Sequence, residues 1–362
     1  MTQDGGQTRD RSRVPSTHAK VNVQDTLERP ARCRLFQVRT FIFVSLSLSL
    51  LLLYGNFKKS PLWFHGPGLF NNETHASPIV KLGPVDRYTV AYPHTYSFVQ
   101  NEPRRCGEEK PFVVLMVPVA PQDQEHRSAV RRTWGSEKVV TDKVVSLFFF
   151  LGLPSVDGSE KIQEGLLQES KEYRDILQSD FLDAYVNLTI KSMVMLEWLN
   201  RHCVNASYAM KIDSDMFLNV PNLIQLLLHA PMENYMTGLV AKDAQVIRDP
   251  SAKWYLPPEV FPEPVYPPYA LGLGYIISLD LPGKLIEGAK HVKALYIEDV
   301  YMGLCMRHLG IPFTDTSDPS QFSAFPIPYE RCRYSRLIAT TTASISDQVG
   351  FWKDLKEQGF CE

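Results

Sequence analysis

The sequence predicts an α/β domain, because apolar runs of the strand type alternate with polar, helical sequence. FVVLMVPVA at residues 112–120 and VVSLFFFLG at residues 144–152 are typical of strands buried on both faces of a sheet. Segments rich in Asp, Gln, Glu and Arg surround each run. Strands that alternate with helices in this way indicate an α/β fold.

The other elements follow in chain order. Helices are predicted at residues 159–177 and 190–201, and a short strand at residues 208–212. Residues 249–268 are so rich in proline that regular helix is excluded, which indicates a long loop that either shapes a binding groove or lies inert on the surface. After a short apolar run, a helix is predicted at residues 300–309.

The composition is that of an ordinary globular protein. The chain has 362 residues, 44% of them hydrophobic and 22% charged, with a formal net charge of -2. This length has room for one large domain, expected at residues 106–362. Since there is no basic excess, nothing indicates a nucleic-acid partner.

The N-terminal part predicts a membrane anchor followed by a stem. Residues 41–57 are uncharged and span about 25 Å as a helix, the lower limit for crossing a bilayer. A cleaved signal peptide would begin earlier and end in small residues, so an uncleaved anchor is favoured. Arginines before the span outnumber the lysines after it, so residues 1–40 should stay cytoplasmic. Residues 58–105, rich in Pro, Gly, Asn and His, are expected to form a lumenal stem without a core.

Glycosylation sequons and cysteines agree with that topology. The sequons follow the predicted span, at Asn72, Asn187 and Asn205. Five of the six cysteines also follow it, at Cys106, Cys203, Cys305, Cys332 and Cys361. Their wide spacing favours disulfides over a zinc site, and the odd number leaves one thiol free. Cys33, before the span, is expected to be idle or acylated.

Two pairs of carboxylates are candidates for chemistry. Asp213 and Asp215 directly follow the strand at 208–212, where alternate side chains share a face, so they could bind a divalent cation that carries a diphosphate, or form a solvated turn. Glu298 and Asp299 open the helix predicted after them, where carboxylates stabilise a helix start whatever their function.

A pair of arginines is a third candidate. Arg127 and Arg131 stand four residues apart, so they would share one face of a helix. Such a pair could bind phosphate or form a solvated face.

Read together, these segments resemble the β-1,3-glycosyltransferase family (glycosyltransferase family 31), and within it most closely the β-1,3-galactosyltransferases. The resemblance runs from about residue 111 to residue 352. The motifs that carry it are, in chain order, RSAVRRTWG, EYRDILQSDFLDAYVNLTIKSMVMLEW, KIDSDMFLN, KWYLPPEVFP, YPPYALGLGYIIS, LYIEDVYMGLCMRHLG and RCRY.

The resemblance implies a GT-A fold and an inverting transfer of galactose from UDP-galactose to a glycan hydroxyl on a glycoprotein or glycolipid. It implies that Asp215 binds Mn²⁺ or Mg²⁺, that Asp213 lies near the ribose, and that Asp299, or Glu298 in its place, is the catalytic base. Further donor contacts are expected at Arg127, Arg131 and Trp134. Substrate contacts are expected at Trp254, Tyr255, Gly272, Gly274 and Tyr275. The resemblance also implies a single-pass type II protein of the Golgi membrane, and it leaves homo- and hetero-oligomers open.

The chain departs from the family pattern at two places. Ala270 stands where the family usually has Cys, so the expected disulfides are Cys106–Cys203 and Cys305–Cys332, with Cys361 free. At residues 339–342, where relatives usually carry a His that can complete the metal shell, this chain has only Ala and Thr. A hydroxyl is a weaker ligand than imidazole for such ions. The missing histidine leaves open an inactive lumenal glycan-binding or partner protein. A UDP-GlcNAc donor is a separate alternative, although residues 253–258 (KWYLPP) resemble the galactosyltransferase members more.

Overall fold

The computed structural model describes residues 88–316 and 318–357, which form a mixed α/β fold around a central sheet. The strands are β1 (Phe98–Gln100), β2 (Val113–Pro118), β3 (Val139–Val140), β4 (Lys143–Leu153), β5 (Ile176–Leu182), β6 (Tyr208–Ile212), β7 (Met216–Leu218), β8 (Met236–Ala241), β9 (Tyr269–Ser278), β10 (Phe322–Ser323) and β11 (Ala339–Thr341). The central sheet has the order β1-β5-β4-β2-β6-β9-β8, with β3 paired to β4. Strands β5, β4, β2 and β6 are parallel, and β1, β9 and β8 join antiparallel.

Helices cover both faces of this sheet. They are α1 (Arg105–Glu109), α2 (Gln124–Arg132), α3 (Ser159–Tyr173), α4 (Leu188–His202), α5 (Val220–Leu227), α6 (Leu281–Ala289), α7 (Glu298–Leu309), α8 (Arg331–Tyr334) and α9 (Ile345–Glu357). The alternation of β2 shows how the two layers form. Val114 and Met116 pack with Met193 of α4, while Leu115 packs on the opposite side with Leu223 of α5. The run at 112–120 is therefore apolar throughout because both of its faces are buried.

A small second sheet attaches the C-terminal segment to the central one. Its order is β10-β11-β7, and β11 runs antiparallel to β7, so that Thr341 lies opposite Met216. Since β7 begins immediately after Asp215, residues near position 341 are brought beside the acidic turn.

Most of the predicted elements are confirmed, but one predicted helix is too long at its C-terminal end. The strand predicted at 208–212 coincides with β6, and residues 249–268 contain neither helix nor strand. The helix predicted at 159–177 is too long, because Arg174 adopts a left-handed conformation (φ 52°) that ends α3. The next apolar residues, from Ile176, instead begin β5.

The prediction of a stem without a core up to residue 105 is wrong for its last part. Tyr92 is 8% exposed in the main core, and Phe98 packs against the same cluster. β1 also extends the central sheet by pairing with β5. The folded domain therefore includes residues from Tyr88 onward, and a boundary at residue 106 would remove an edge strand.

One predicted disulfide is present and the other is not. Cys106 and Cys203 are bonded and join α1 to the end of α4. The predicted Cys305–Cys332 bond is wrong, because Cys305 is a free thiol inside α7, whereas Cys332 belongs to a different disulfide. Burial raises the pKa of the Cys305 thiol to about 12. Cys305 is therefore an inert core residue.

Several predictions concern parts of the chain that the structure leaves undescribed. The cytoplasmic tail at 1–40, the anchor at 41–57, Asn72, Cys33 and Cys361 lie outside the described residues. From residue 88 onward, the described helices include none with the length and apolar character needed to cross a bilayer. Of the described sequons, Asn205 is exposed, and the Asn187 amide donates to the Leu182 carbonyl at 2.8 Å. Glycosylation of both stays a prediction.

Candidate active site

The acidic turn Asp213–Asp215 lies at the carboxyl end of β6. The backbone leaves the central sheet after Ile212 and becomes extended again at Met216. The Asp213 N–H donates to the Leu273 carbonyl of β9 at 3.0 Å, and the Met216 N–H donates to the Asp213 carbonyl at 3.2 Å. The turn is thereby fixed to β9. The Asp213 side chain remains 39% exposed, and Asp215 is also exposed.

A buried lysine lies beneath this turn. The Lys211 side chain is 6% exposed, with its Nζ 3.1 Å from an oxygen of Asp213 and 4.0 Å from an oxygen of Glu298. The ammonium also donates a short hydrogen bond to the Gly272 carbonyl. Burial alone would lower the pKa of Lys211, but the charges of Asp213 and Glu298 outweigh this effect and raise it. One permanently charged cation therefore joins the two acidic segments.

The two carboxylates that open α7 lie in different surroundings. Glu298 is 6% exposed, and its Oε1 accepts a hydrogen bond from the Tyr275 hydroxyl at 2.8 Å. Asp299 is only half-buried. Its Oδ2 accepts from the Gly272 N–H at 3.1 Å, and its Oδ1 accepts from the Val300 N–H at 2.9 Å. Of this pair, Asp299 is the carboxylate that a ligand can reach.

Burial raises the pKa of both carboxylates. For Glu298 the charge of Lys211 opposes the rise, and for Asp299 the peptide N–H of Gly272 opposes it, but in both cases the pKa stays above its ordinary value. An ionised Asp299 with a raised pKa is a stronger base than an aspartate in water.

Two glycines allow α7 to approach the sheet this closely. A Cβ on Gly272 would lie 3.1 Å from the Glu298 carboxylate and 3.6 Å from that of Asp299. A Cβ on Gly303, within α7, would lie 2.8 Å from the Cβ of Tyr269. The two glycines therefore let the first two turns of α7 pack closely against β9.

The C-terminal segment supports the acidic turn from the other side. The N–H and the hydroxyl of Thr342 both donate to the Asp215 carbonyl, at 2.9 and 2.7 Å. The Gln348 amide of α9 donates to the Ser214 carbonyl at 3.2 Å. The segment in which the family resemblance predicted a histidine thus lies beside Asp215, and in this chain it presents threonine there.

The chemistry of the turn suits a hard divalent cation that is shared with a ligand. The surrounding protein and the charge of Asp213 raise the pKa of Asp215, although that residue is exposed as a whole. A cation would relieve the repulsion between these two carboxylates. Across residues 88–316 and 318–357 no three side chains of His, Cys, Asp or Glu converge as a metal site. The remaining ligands would have to come from a bound diphosphate and water.

The arginines predicted to bind the donor have internal roles instead. Arg127 is 1% exposed and makes two hydrogen bonds to Glu169, at 2.8 and 2.7 Å. Arg131 makes two hydrogen bonds to Asp175, both at 2.8 Å, and one to Glu169 at 2.7 Å. Phosphate binding and a solvated face are therefore both wrong, because the guanidinium groups neutralise buried carboxylates.

Other predicted contact residues are also internal. Trp134 is fully buried, and its indole N–H donates to the Met216 carbonyl at 2.9 Å, so it supports the acidic turn and cannot touch the donor. Tyr275 is 1% exposed with its hydroxyl bound to Glu298, and Gly274 pairs with Ile212 inside the sheet. Direct substrate contact by Gly274 or Tyr275 is therefore wrong.

The remaining predicted contact residues lie where a ligand can reach them. Trp254 is 47% exposed in the proline-rich loop, and Tyr255 beside it is half-buried. Gly272 is partly exposed between the acidic turn and Asp299.

Sequence reasoning missed Lys211, although a signal was present. Residues i and i+2 of a strand share a face, so the Lys in KIDSD had to lie beside Asp213. It also missed Tyr185, whose hydroxyl accepts a hydrogen bond from the Trp254 indole at 2.8 Å. No local pattern could have paired two residues so distant in the chain.

Comparison with known proteins adds independent information. A family model described as Galactosyltransferase matches residues 125–317. Beta-1,3-galactosyltransferase 2 of Pongo abelii is 36% identical over 271 residues, which cover 74% of this chain and 64% of that protein. Beta-1,3-galactosyltransferase 1 of Mus musculus is 36% identical over 270 residues, which cover 74% of this chain and 80% of that protein. An apo structure of the bifunctional glycosyltransferase WbbM is 11% identical over 65% of this chain and 46% of that chain, with a TM-score of 0.35, too low to support any argument.

Proposed function

This chain belongs to the galactosyltransferase family, and on that premise we propose that it transfers galactose from UDP-galactose to a glycan hydroxyl, forming a β-1,3 linkage. The chain spans 64% of the length of the first of these relatives, and the galactosyl transfer in their names is therefore a proposal for this chain. The observation that carries it is the joining of the acidic turn and Asp299 through Lys211 and the Gly272 peptide. A transferase must hold the residues that bind the donor and the base that activates the acceptor in a fixed geometry.

On the donor side, Asp215 would hold Mn²⁺ or Mg²⁺, with Asp213 closer to the ribose. The ion supplies positive charge to the diphosphate as UDP departs. The chain's own residues fix the position of the acidic turn. Lys211 lies 3.1 Å from the Asp213 carboxylate, Trp134 donates to the Met216 carbonyl, and Thr342 donates to the Asp215 carbonyl.

On the acceptor side, Asp299 takes the proton of the attacking hydroxyl. The acceptor oxygen then forms a bond to the anomeric carbon while the bond from that carbon to the UDP oxygen breaks. A single displacement of this kind inverts the anomeric centre. Glu298 is the weaker candidate for the base, because its carboxylate is buried and engaged by Tyr275 and Lys211.

The finer assignments of fold and location belong to the same proposal. We assign the domain to the GT-A class, in the Golgi lumen behind a single-pass type II anchor, acting on glycans of glycoproteins or glycolipids. The Cys106–Cys203 disulfide supports an oxidising compartment, since such bonds are rare in the cytosol.

The test is to incubate the purified full chain with UDP-galactose or UDP-GlcNAc and a panel of acceptor glycosides, and to determine the linkage formed by NMR. We expect a β-1,3-galactoside that forms with Mn²⁺ and not with EDTA. Asp215→Ala should abolish transfer and the metal dependence of UDP affinity. If only GlcNAc is transferred, the donor is UDP-GlcNAc and the assignment of UDP-galactose is wrong.

A second function is favoured by one specific observation, the threonine segment beside Asp215. If no donor is transferred or hydrolysed while glycans still bind, the chain is an inactive glycan-binding protein and the proposal fails.

A further inference from the structure

Two exposed aromatic side chains from distant parts of the sequence meet on the surface. Tyr185 is 43% exposed and Trp254 is 47% exposed, and the indole N–H donates to the tyrosine hydroxyl at 2.8 Å. The Lys253 ammonium lies 4.1 Å from the centre of the Tyr185 ring and 5.4 Å from that of Trp254. We call Tyr185, Lys253 and Trp254 the aromatic platform.

The aromatic platform is tied to the segment that carries the proposed base. Beside Tyr185, the Thr189 hydroxyl at the start of α4 donates to the Leu295 carbonyl at 2.5 Å. Beside Trp254, the Tyr296 hydroxyl donates to the carbonyls of Lys253 and Tyr255, at 3.1 and 2.9 Å. The elements that carry Tyr185 and Trp254 are thus hydrogen-bonded to two consecutive residues, Leu295 and Tyr296.

That segment leads directly into the proposed base. Tyr296 precedes Asp299 by three residues, which span at most about 10 Å. Leu256, two residues after Trp254, packs in one apolar cluster with Ile297 and Val300, so the loop that carries Trp254 is packed against the start of α7.

The surface chemistry of the platform selects the class of ligand. The Lys253 ammonium covers one face of the Tyr185 ring, and the exposed remainder of the two rings provides apolar area beside the tyrosine hydroxyl and the ammonium. A pyranose has the matching pattern, with a C–H face and hydroxyls around its rim. Sites for small polar ligands combine aromatic walls with a few placed polar groups in this way.

We propose that the aromatic platform is the acceptor subsite, which binds the pyranose whose hydroxyl is presented to Asp299. This inference rests on the proposed transferase function and adds Tyr185 and Lys253 to the residues that determine acceptor binding. It also specifies the substrate contact expected at Trp254 as a contact with the acceptor.

The test measures acceptor and donor separately in the full chain. Trp254→Ala should raise the KM for a glycoside acceptor about tenfold to a hundredfold and leave the KM for UDP-galactose within about twofold. Trp254→Phe, which keeps a ring, should retain acceptor KM within about threefold. The matched control is Tyr173→Ala, because Tyr173 is also 47% exposed but lies at the end of α3. An unchanged acceptor KM in both Trp254→Ala and Tyr185→Ala would overturn the proposal.

Direct binding separates failure of the subsite from failure of the function. Saturation-transfer NMR of a methyl galactoside and a methyl N-acetylglucosaminide, without any donor, should show contact with wild type and with Asp215→Ala, and lose it with Trp254→Ala. If wild type shows no turnover but glycoside contact still depends on Trp254, the acceptor subsite is confirmed and the transferase function is wrong. If turnover is normal and glycoside contact is independent of Trp254 and Tyr185, the subsite is wrong and the function stands.

Discussion

Replacing Lys211 by methionine tests whether one buried cation holds the two acidic segments together. The side chain is 6% exposed, and its ammonium lies 3.1 Å from Asp213 and 4.0 Å from Glu298. Lys211→Met keeps most of the volume but leaves Glu298 buried without its cation. Removing one partner of a buried pair costs about 3–5 kcal/mol of unfolding free energy. For a domain of this size, that loss lowers the Tm by about 6–20 °C.

The assay is thermal unfolding followed by circular dichroism, for Lys211→Met, Glu298→Gln and the double variant. Because the double variant contains neither charge, we expect its loss of stability to be smaller than the sum of the single losses by about 1 kcal/mol or more. Strict additivity, or a Tm of Lys211→Met within about 2 °C of wild type, would refute the coupling.

Three further predictions concern the surroundings of the site. Arg127→Ala should lower the free energy of unfolding by about 3–5 kcal/mol in a denaturant titration and leave the UDP affinity of the folded protein unchanged in calorimetry, whereas a selective loss of UDP affinity would contradict its internal role. Gly272→Ala should lower turnover about tenfold or more, because the new methyl would lie 3.1 Å from the Glu298 carboxylate; normal turnover would show that the close approach is unimportant. In a pH series at saturating substrates, turnover should fall as the pH drops through the pKa of Asp299, which burial raises above 3.8, since the ionised base is present only above that pKa. An acidic limb at or below 3.8 would exclude Asp299 as the group that titrates.

The elements that were predictable are those whose signal is local. The continuous apolar runs of β2 and β4 and the Pro-rich irregular loop follow from burial and from the missing N–H of proline. The end of α3 was not predictable, because it depends on a left-handed residue, Arg174, that is not a glycine. Placement of β1 depends on pairing with β5, a contact between segments far apart in the chain.

The candidate site shows the same division. The strand-to-turn position of Asp213 and the helix-opening position of Asp299 follow from periodicity and from the acidic preference of helix starts. The roles of Arg127 and Tyr275 did not follow, because their partners Glu169 and Glu298 come from other elements. Residue spacing shows which side chains share a face of a helix or strand, but the tertiary fold determines which residues that face contacts.

Asp299→Asn tests the central claim most directly. The variant keeps the size of the side chain and much of its ability to accept hydrogen bonds, but it cannot take a proton at neutral pH. We would measure its turnover number and UDP-galactose affinity beside those of Glu298→Gln, with a thermal scan to confirm folding. The account predicts that Asp299→Asn loses about a hundredfold to ten-thousandfold in turnover and retains donor affinity. If it keeps more than about a tenth of the wild-type turnover while Glu298→Gln does not, the base is Glu298 and the account is contradicted.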